Sequence, residues 1–506
     1  ARSTKSNVFS AEQPTQMLTR LRNINFAIVA RFIGWLVIIE GIFMLAPLLT
    51  ALAWNEPDVR AFLWPAAGCL TVGSLMAFGI RPRSLEMGTR EGFLLTAMVW
   101  VAFSTFGMIP FLLIDNPLTV SEAFFEAMSG FTTTGASVIE SVEGLSHGIL
   151  LWRSEMNWIG GMGIILFTLA VLPMLNHSGG IQLFNAEVTG ITHDKIRPRI
   201  SQTAKDLWSV YLMLTIVLIA LLWAGPMNLF DAVCQAFSTV STGGFSTRDD
   251  SIAAWDSTYV DIVITVFMFL GSINFTLIFM ATRGRFDALL RNDVFLTFIK
   301  MIGFYYLLFV VCIIAEGEYT GVKSITIDPL FQIMSCMSST GMSVFNFERW
   351  GTFVLSMMFL MMFFGSCAGS TAGGAKIDRF LFLIKNLRNE IYRCVHPNSV
   401  TSVRINGKVM SNSVVQKVVA FLCLYVLIIA VGGTVLTACG LPLVDSYFSV
   451  FSCIGNTGFG AGVTGYGGGW DLVPPLGQWV LSLIMLTGRL EIFTVLILFT
   501  KGFWRK

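Results

Sequence analysis

Four short stretches hold the residue types that could do chemistry in this chain. They read SGFTTTGAS (129–137), STVSTGGFS (238–246), SCMSSTGMS (335–343) and SCIGNTGFG (452–460). Aligned without gaps on Ser129, Ser238, Ser335 and Ser452, they place one glycine column at Gly135, Gly244, Gly341 and Gly458. Thirteen residues before each glycine stands an acid: Glu122, Asp231, Asp328 and Asp445. Acids are 31 of 506 residues, and the acid spacing played no part in the alignment, so its fourfold recurrence marks a true internal repeat.

The residue types suit a bare cation. Carbonyl oxygens of irregular backbone can replace the water around a large monovalent ion, with potassium the natural choice, and glycine permits the backbone angles this needs. The candidate filter is Thr133, Thr134 and Gly135; Thr242, Gly243 and Gly244; Ser339, Thr340 and Gly341; and Asn456, Thr457 and Gly458. Potassium is expected at Thr133, Thr134, Thr242, Gly243, Ser339, Thr340, Asn456 and Thr457, as substrate; no cofactor is expected. One shared glycine per loop predicts a short filter of imperfect selectivity. The acid is expected to open each half-helix as its N-cap, the alternative being attraction of cations at an outer mouth. A loop that merely packs is the other reading of the knots, but packing does not require four copies of one register.

Long apolar helices must position these loops. The chain is 54% hydrophobic and 13% charged, against about 25% charged in soluble domains. Apolar spans near 27–52, 61–80, 92–115, 150–175, 207–225, 258–282, 296–316, 352–385, 414–438 and 476–500 predict ten membrane helices. The segments near 120–135, 229–244, 326–341 and 443–458 are too short to cross and are read as re-entrant. With the N-terminus in the cytoplasm, outer loops and helix ends hold Arg60, Arg153, Arg248, Lys323 and Arg349. Arg31 and Arg489 lie within spans, and the other 26 of 33 Lys and Arg fall inside.

The expected class is an all-α polytopic membrane protein, with two N-terminal helices plus four pseudo-fourfold helix–pore-loop–helix repeats around one pore. The divisions are a cytoplasmic tail at 1–26, whose polar residues do not read as a signal peptide, and the extra helices at 27–91. Pore repeats follow at 92–176, 207–282, 296–390 and 411–506. A polytopic enzyme would need clustered His, Cys or acids at membrane depth. The four histidines lie near predicted loops, and the nine cysteines form no CxxC pair, most reading as small buried hydrophobes. The net charge of +2 gives no ground for a nucleic-acid partner.

The helices after the knots share glycines at Gly160, Gly271, Gly365 and Gly488, which suggest close approach or a bend. In the third, GSCAGSTAGG (365–374) is too rich in small residues for a stiff helix. Either the helix breaks there into a loop able to obstruct the path, or Gly365, Gly369 and Gly373 form a tight packing face; the gate candidates are these three with Gly374 and Arg489. Arg489, at membrane depth, needs water or a partner, and Glu491 at i+2 projects elsewhere. It is read as a fixed charge beside the pore, the alternative being a local pair with Glu491. Lys376, Arg379, Lys385, Arg388 and Arg393 form a basic inner stretch, read as a solvated anchor or, alternatively, a docking site.

The loops TTTGAS, STGGFST, SSTGMS and GNTGFG, with two helices ahead of the repeat, resemble the bacterial TrkH/TrkG potassium-uptake subunits of the Trk/Ktr/HKT superfamily, over essentially the whole chain. The resemblance implies a homodimer in the bacterial inner membrane, each protomer with its own pore. It also implies an intramembrane gating loop at 365–374, an arginine at Arg489 beside it, and a cytosolic TrkA-like nucleotide-binding ring that controls opening. Potassium uptake coupled to sodium or protons on the same fold is the alternative.

Overall fold

The computed structural model describes residues 24–82, 87–171, 200–317, 321–465 and 469–505. Most of the expected 1–26 tail, the 172–176 end of the first repeat, and two of the four histidines, His177 and His193, lie outside the described residues.

The chain is a helical membrane protein. Helices α1 (Phe26–Ala53, interrupted at Met44) and α2 (Val59–Gly79) come first. Three elements follow: α3 (Thr89–Leu112), the half-helix α4 (Val120–Phe131) and α5 (His147–Val171). The second unit is α6 (Ile200–Trp223), half-helix α7 (Leu229–Val240), α8 (Thr258–Ser272) and α9 (Phe275–Thr282). The third is α10 (Asp293–Glu316), half-helix α11 (Asp328–Met337), α12 (Gly351–Phe364) and α13 (Ile377–Val395). The fourth is α14 (Asn412–Ala438), half-helix α15 (Leu443–Ile454), α16 (Pro475–Arg489) and α17 (Ile492–Leu496).

Among the described residues seven helices are long and apolar enough to cross a membrane, or nine if α8–α9 and α16 with residues 492–499 each count as one bent span. The remaining expected span falls on α5. The apolar window of α10 is only 22% buried, and Phe304, Leu307, Val311 and Ile314 point outward, as lipid-facing side chains do. Lipid gives no hydrophobic drive between helices, so close packing supplies it. At the α1–α2 crossing a Cβ on Gly34 would lie 2.8 Å from the Gly73 carbonyl oxygen, and one on Gly73 2.8 Å from that of Gly34.

The half-helices are 12, 12, 10 and 12 residues long. At 1.5 Å per residue they rise about 15–18 Å, half of a bilayer core. Their caps correct one sequence expectation. Thr119, Asn228 and Pro442 occupy the N-cap positions, and Glu122, Asp231 and Asp445 sit three residues further in. Glu122 closes a capping box, accepting from the Thr119 amide at 2.8 Å, while Asn228 Oδ1 accepts from the Asp231 amide at 2.7 Å. In the third unit a π-helical turn, Lys323–Ile327, runs straight into Asp328, so that acid opens the helix without capping it. The acids still meet the positive end of each helix dipole.

Candidate functional site: a ring of four loops and a loop packed beneath it

Each half-helix ends in the same hydrogen-bonded turn. The amides of Thr134, Gly243, Thr340 and Thr457 donate to the carbonyls of Ser129, Ser238, Ser335 and Ser452 at 2.9, 2.8, 2.9 and 2.9 Å. The preceding amides, of Thr133, Thr242, Ser339 and Asn456, donate to Gly130, Thr239, Cys336 and Cys453 at 3.0 to 3.2 Å. This pair of bonds is the Schellman motif, which requires a left-handed residue after the helix. Thr133, Thr242, Ser339 and Asn456 fill that place with φ of 53°, 56°, 53° and 50°. Glycine would adopt it at lower cost, and non-glycine residues held so cluster at functional sites. Their side chains are used: Asn456 Nδ2 donates to Thr134 Oγ1 and to the Met485 carbonyl, both at 3.0 Å, and Ser339 Oγ accepts from the Gly373 amide.

The glycine column closes these turns into a ring. Gly135, Gly244, Gly341 and Gly458 have φ of 81°, 84°, 79° and 80°. A Cβ on Gly135 would strike the carbonyl oxygen of Gly243, one on Gly244 that of Thr340, one on Gly341 that of Thr457, and one on Gly458 that of Thr134. Each repeat therefore abuts the next in the cyclic order 1–2–3–4–1, and the four carbonyl oxygens ahead of the column sit in equivalent positions. The residues preceding the column are buried, and the four glycines are half-exposed. Gly160 and Gly488 back the ring, because a Cβ there would press on the last half-helix carbonyls, of Phe131 and Ile454; at Gly271 it would meet the Thr242 side chain instead.

Under the third and fourth loops lies 365–376. Gly365, Gly369 and Gly374 have φ of 64°, 78° and 78°, so the segment between α12 and α13 is not helical and the packing-face reading fails. Repeats 2, 3 and 4 hold this segment directly, and Arg489 links it to repeat 1. The Gly374 amide donates to Gly455 O at 2.9 Å, and Thr371 Oγ1 donates to Val240 O and Gly271 O at 3.2 and 3.1 Å. Asn274 Nδ2 donates to Ala368 O at 2.8 Å. Arg489 Nη1 donates to Thr371 O at 2.7 Å, and Nη2 to Gly160 O at 2.9 Å, spanning from the segment to the first repeat.

Several residues here escaped the sequence reading. Arg379 and Lys376 were placed in a solvated stretch, yet both are buried; Arg379 grips both oxygens of Glu491 and stacks 3.8 Å over the Phe421 ring. Lys376 Nζ donates to Ala372 O at 2.6 Å, closing 365–376 on itself. Lys385, Arg388 and Arg393 do lie at the surface. Lys376 and Glu491 are left-handed too, with φ of 69° and 61°, each at a helix break. The α8–α9 bend of 106° and the 117° bend after Arg489 follow Gly271 and Gly488, where a bend was one of the two readings; Asn274, an N-cap residue inside an apolar run, was a further signal for the first. Arg153, counted among the cations of the outer loops and helix ends, is 2% exposed and paired with Glu126. Cys394 and Cys423 are exposed rather than buried.

The family model described as TrkH, cation transport protein, matches residues 60–505. The chain belongs to the TrkH family. The Trk system potassium uptake protein TrkH of Escherichia coli K12 is 36% identical over 487 residues, covering 95% of this chain and 100% of that one. Its TrkG counterpart from the same strain is 34% identical, covering 94% and 98%. The crystal structure of the potassium transporter TrkH from Vibrio parahaemolyticus superposes with a TM-score of 0.86 at 33% identity, covering 95% of this chain and 100% of that one. These are transport proteins, and the family's architecture is the one described above.

Proposed function

We propose that the chain takes up potassium across the bacterial inner membrane, with its N-terminus in the cytoplasm, through a filter made by the four loops. The ring of carbonyls at Thr134, Gly243, Thr340 and Thr457, buried and closed by half-exposed glycines, carries this reading. Four half-helices direct the partial negative charge of their C-termini at that ring, which lowers the energy of a cation there. The relatives' names, potassium uptake proteins of the Trk system, give the ion. Segment 365–376 is the gate, pinned shut by Arg489. A homodimer, and control by a cytosolic TrkA-like nucleotide-binding ring, complete the proposal by family likeness.

Uptake through such a path needs no coupling ion. A potential of roughly 150 mV contributes about 3.5 kcal/mol per charge, enough for a few hundredfold accumulation. The test is flux in sealed vesicles holding the purified chain, with potassium, rubidium and sodium, with voltage imposed and with sodium and proton gradients collapsed. Voltage-driven potassium and rubidium entry is expected. Entry that needs a sodium or proton gradient would replace the channel reading with symport.

Deleting 366–372 is expected to raise basal flux several-fold, because the deletion removes Thr371, the acceptor of Arg489, along with the residues lying beneath the ring. The check is initial rubidium flux at matched incorporation. A folded deletion that conducts like the parent would assign the segment to packing alone.

A further inference from the structure

One corner of the ring is built unlike the other three. Nine residues ahead of the glycine column stand Glu126, Gln235, Gln332 and Ser449. Only Glu126 is charged, and it is fully buried against Arg153 on α5, with Nε to Oε1 at 2.8 Å. Removing two charges from water is costly, so such a pair persists only where hydrogen bonds satisfy both partners. Here they do. Glu126 Oε1 also accepts from Ser137 Oγ at 3.0 Å, and Oε2 from the Val138 amide at 3.0 Å. Arg153 Nη2 donates to Ser137 Oγ at 2.9 Å and Nη1 to Ser246 O at 3.2 Å, while its guanidinium lies 4.2 Å over the Phe245 ring.

These contacts fall on the two segments leaving the ring. Ser137 and Val138 follow Gly135, and Phe245 and Ser246 follow Gly244, so one arginine fork holds repeat 1 against repeat 2. At the equivalent positions no charge is used: Gln235 Nε2 donates to Ser246 Oγ at 2.8 Å, Ser449 Oγ meets Thr464 Oγ1 at 3.0 Å, and the buried Gln332 amide group makes no hydrogen bond among the described residues. No other ion pair among the described residues has both side chains this deeply buried.

We infer that Arg153 and Glu126 are positioning residues for ion preference: by clamping Ser137 to Ser246 they fix the spacing of the Gly135 and Gly244 corner. The ring distinguishes potassium from sodium only if its oxygens hold their distance, so loosening one corner changes the distances seen by the ion. The inference rests on the filter reading above.

The test compares potassium and sodium flux in vesicles for the parent, Glu126→Gln, Arg153→Gln, Arg153→Lys and Ser137→Ala, at matched incorporation. The expected result for the two glutamine variants is a potassium-to-sodium ratio about tenfold lower with potassium flux retained, within the range over which packed side chains modulate a site they do not touch. Arg153→Lys keeps the charge and recovers most of the ratio. Ser137→Ala keeps both charges, removes the shared hydroxyl and lowers the ratio by a smaller factor; it decides alone if the charge variants do not fold. An unchanged ratio in Ser137→Ala and in every folded glutamine variant, or an equal fall in both fluxes, would overturn the positioning role. A parent that itself shows no potassium preference would overturn the filter reading instead.

Discussion

Gly244→Ser and Gly458→Ser lower potassium preference over sodium by roughly tenfold to a hundredfold, while total cation flux falls much less. Two costs act together at each position. The residues hold φ of 84° and 80°, where a side chain is strained, and the new Cβ would run into the carbonyl oxygen of Thr340 or Thr134. The oxygen must move, and forced rearrangements of packed groups cost about 1–3 kcal/mol, which at about 1.4 kcal/mol per decade gives the stated range. The displaced carbonyl widens the ring at one corner and leaves the path open. Bi-ionic potentials across planar bilayers measure the ratio. An unchanged ratio in both variants would remove the glycines from the filter.

Arg489→Ala raises flux, by about a hundredfold at most. The guanidinium donates to Thr371 O and Gly160 O, so it both pins 365–376 and places a fixed charge next to the ring. At about 6 Å and an effective dielectric near 20, that charge opposes a passing cation by ~3 kcal/mol. Arg489→Lys keeps the charge and loses the fork that reaches two carbonyls at once, so its increase is smaller. Rubidium flux at matched incorporation reads both. A fall in flux for a folded Arg489→Ala would mean that the arginine holds the conducting arrangement together.

The parts legible in the sequence are those where local backbone demands a residue type. The glycine column is one: positive φ and contact with a neighbouring carbonyl leave no room for a side chain, so the requirement is written four times. The left-handed residue two places earlier was not legible. Thr133, Thr242, Ser339 and Asn456 are held there by hydrogen bonds at the half-helix end, and as residue types they read only as polar loop. Glu122, Asp231 and Asp445 lie three residues inside the N-caps of their helices, although Thr119 and Glu122 have the spacing of a capping box. Pairs that join distant segments were out of reach. Arg379 meets Glu491 across 112 residues, and Arg153 meets Glu126 across 27, so neither cation showed its partner locally. The charge count put Arg153 with the outer loops and helix ends because it stands near the start of its apolar span, and gave no sign of its burial.

The location of the ion tests the central claim most directly. Crystals of the protein grown in rubidium, with diffraction collected at the rubidium absorption edge, give its position from anomalous scattering alone. The expected result is a peak enclosed by the carbonyl oxygens of Thr134, Gly243, Thr340 and Thr457, weakened or shifted in Gly244→Ser. A ring free of anomalous density while rubidium is bound by side chains elsewhere along the helices would contradict the account.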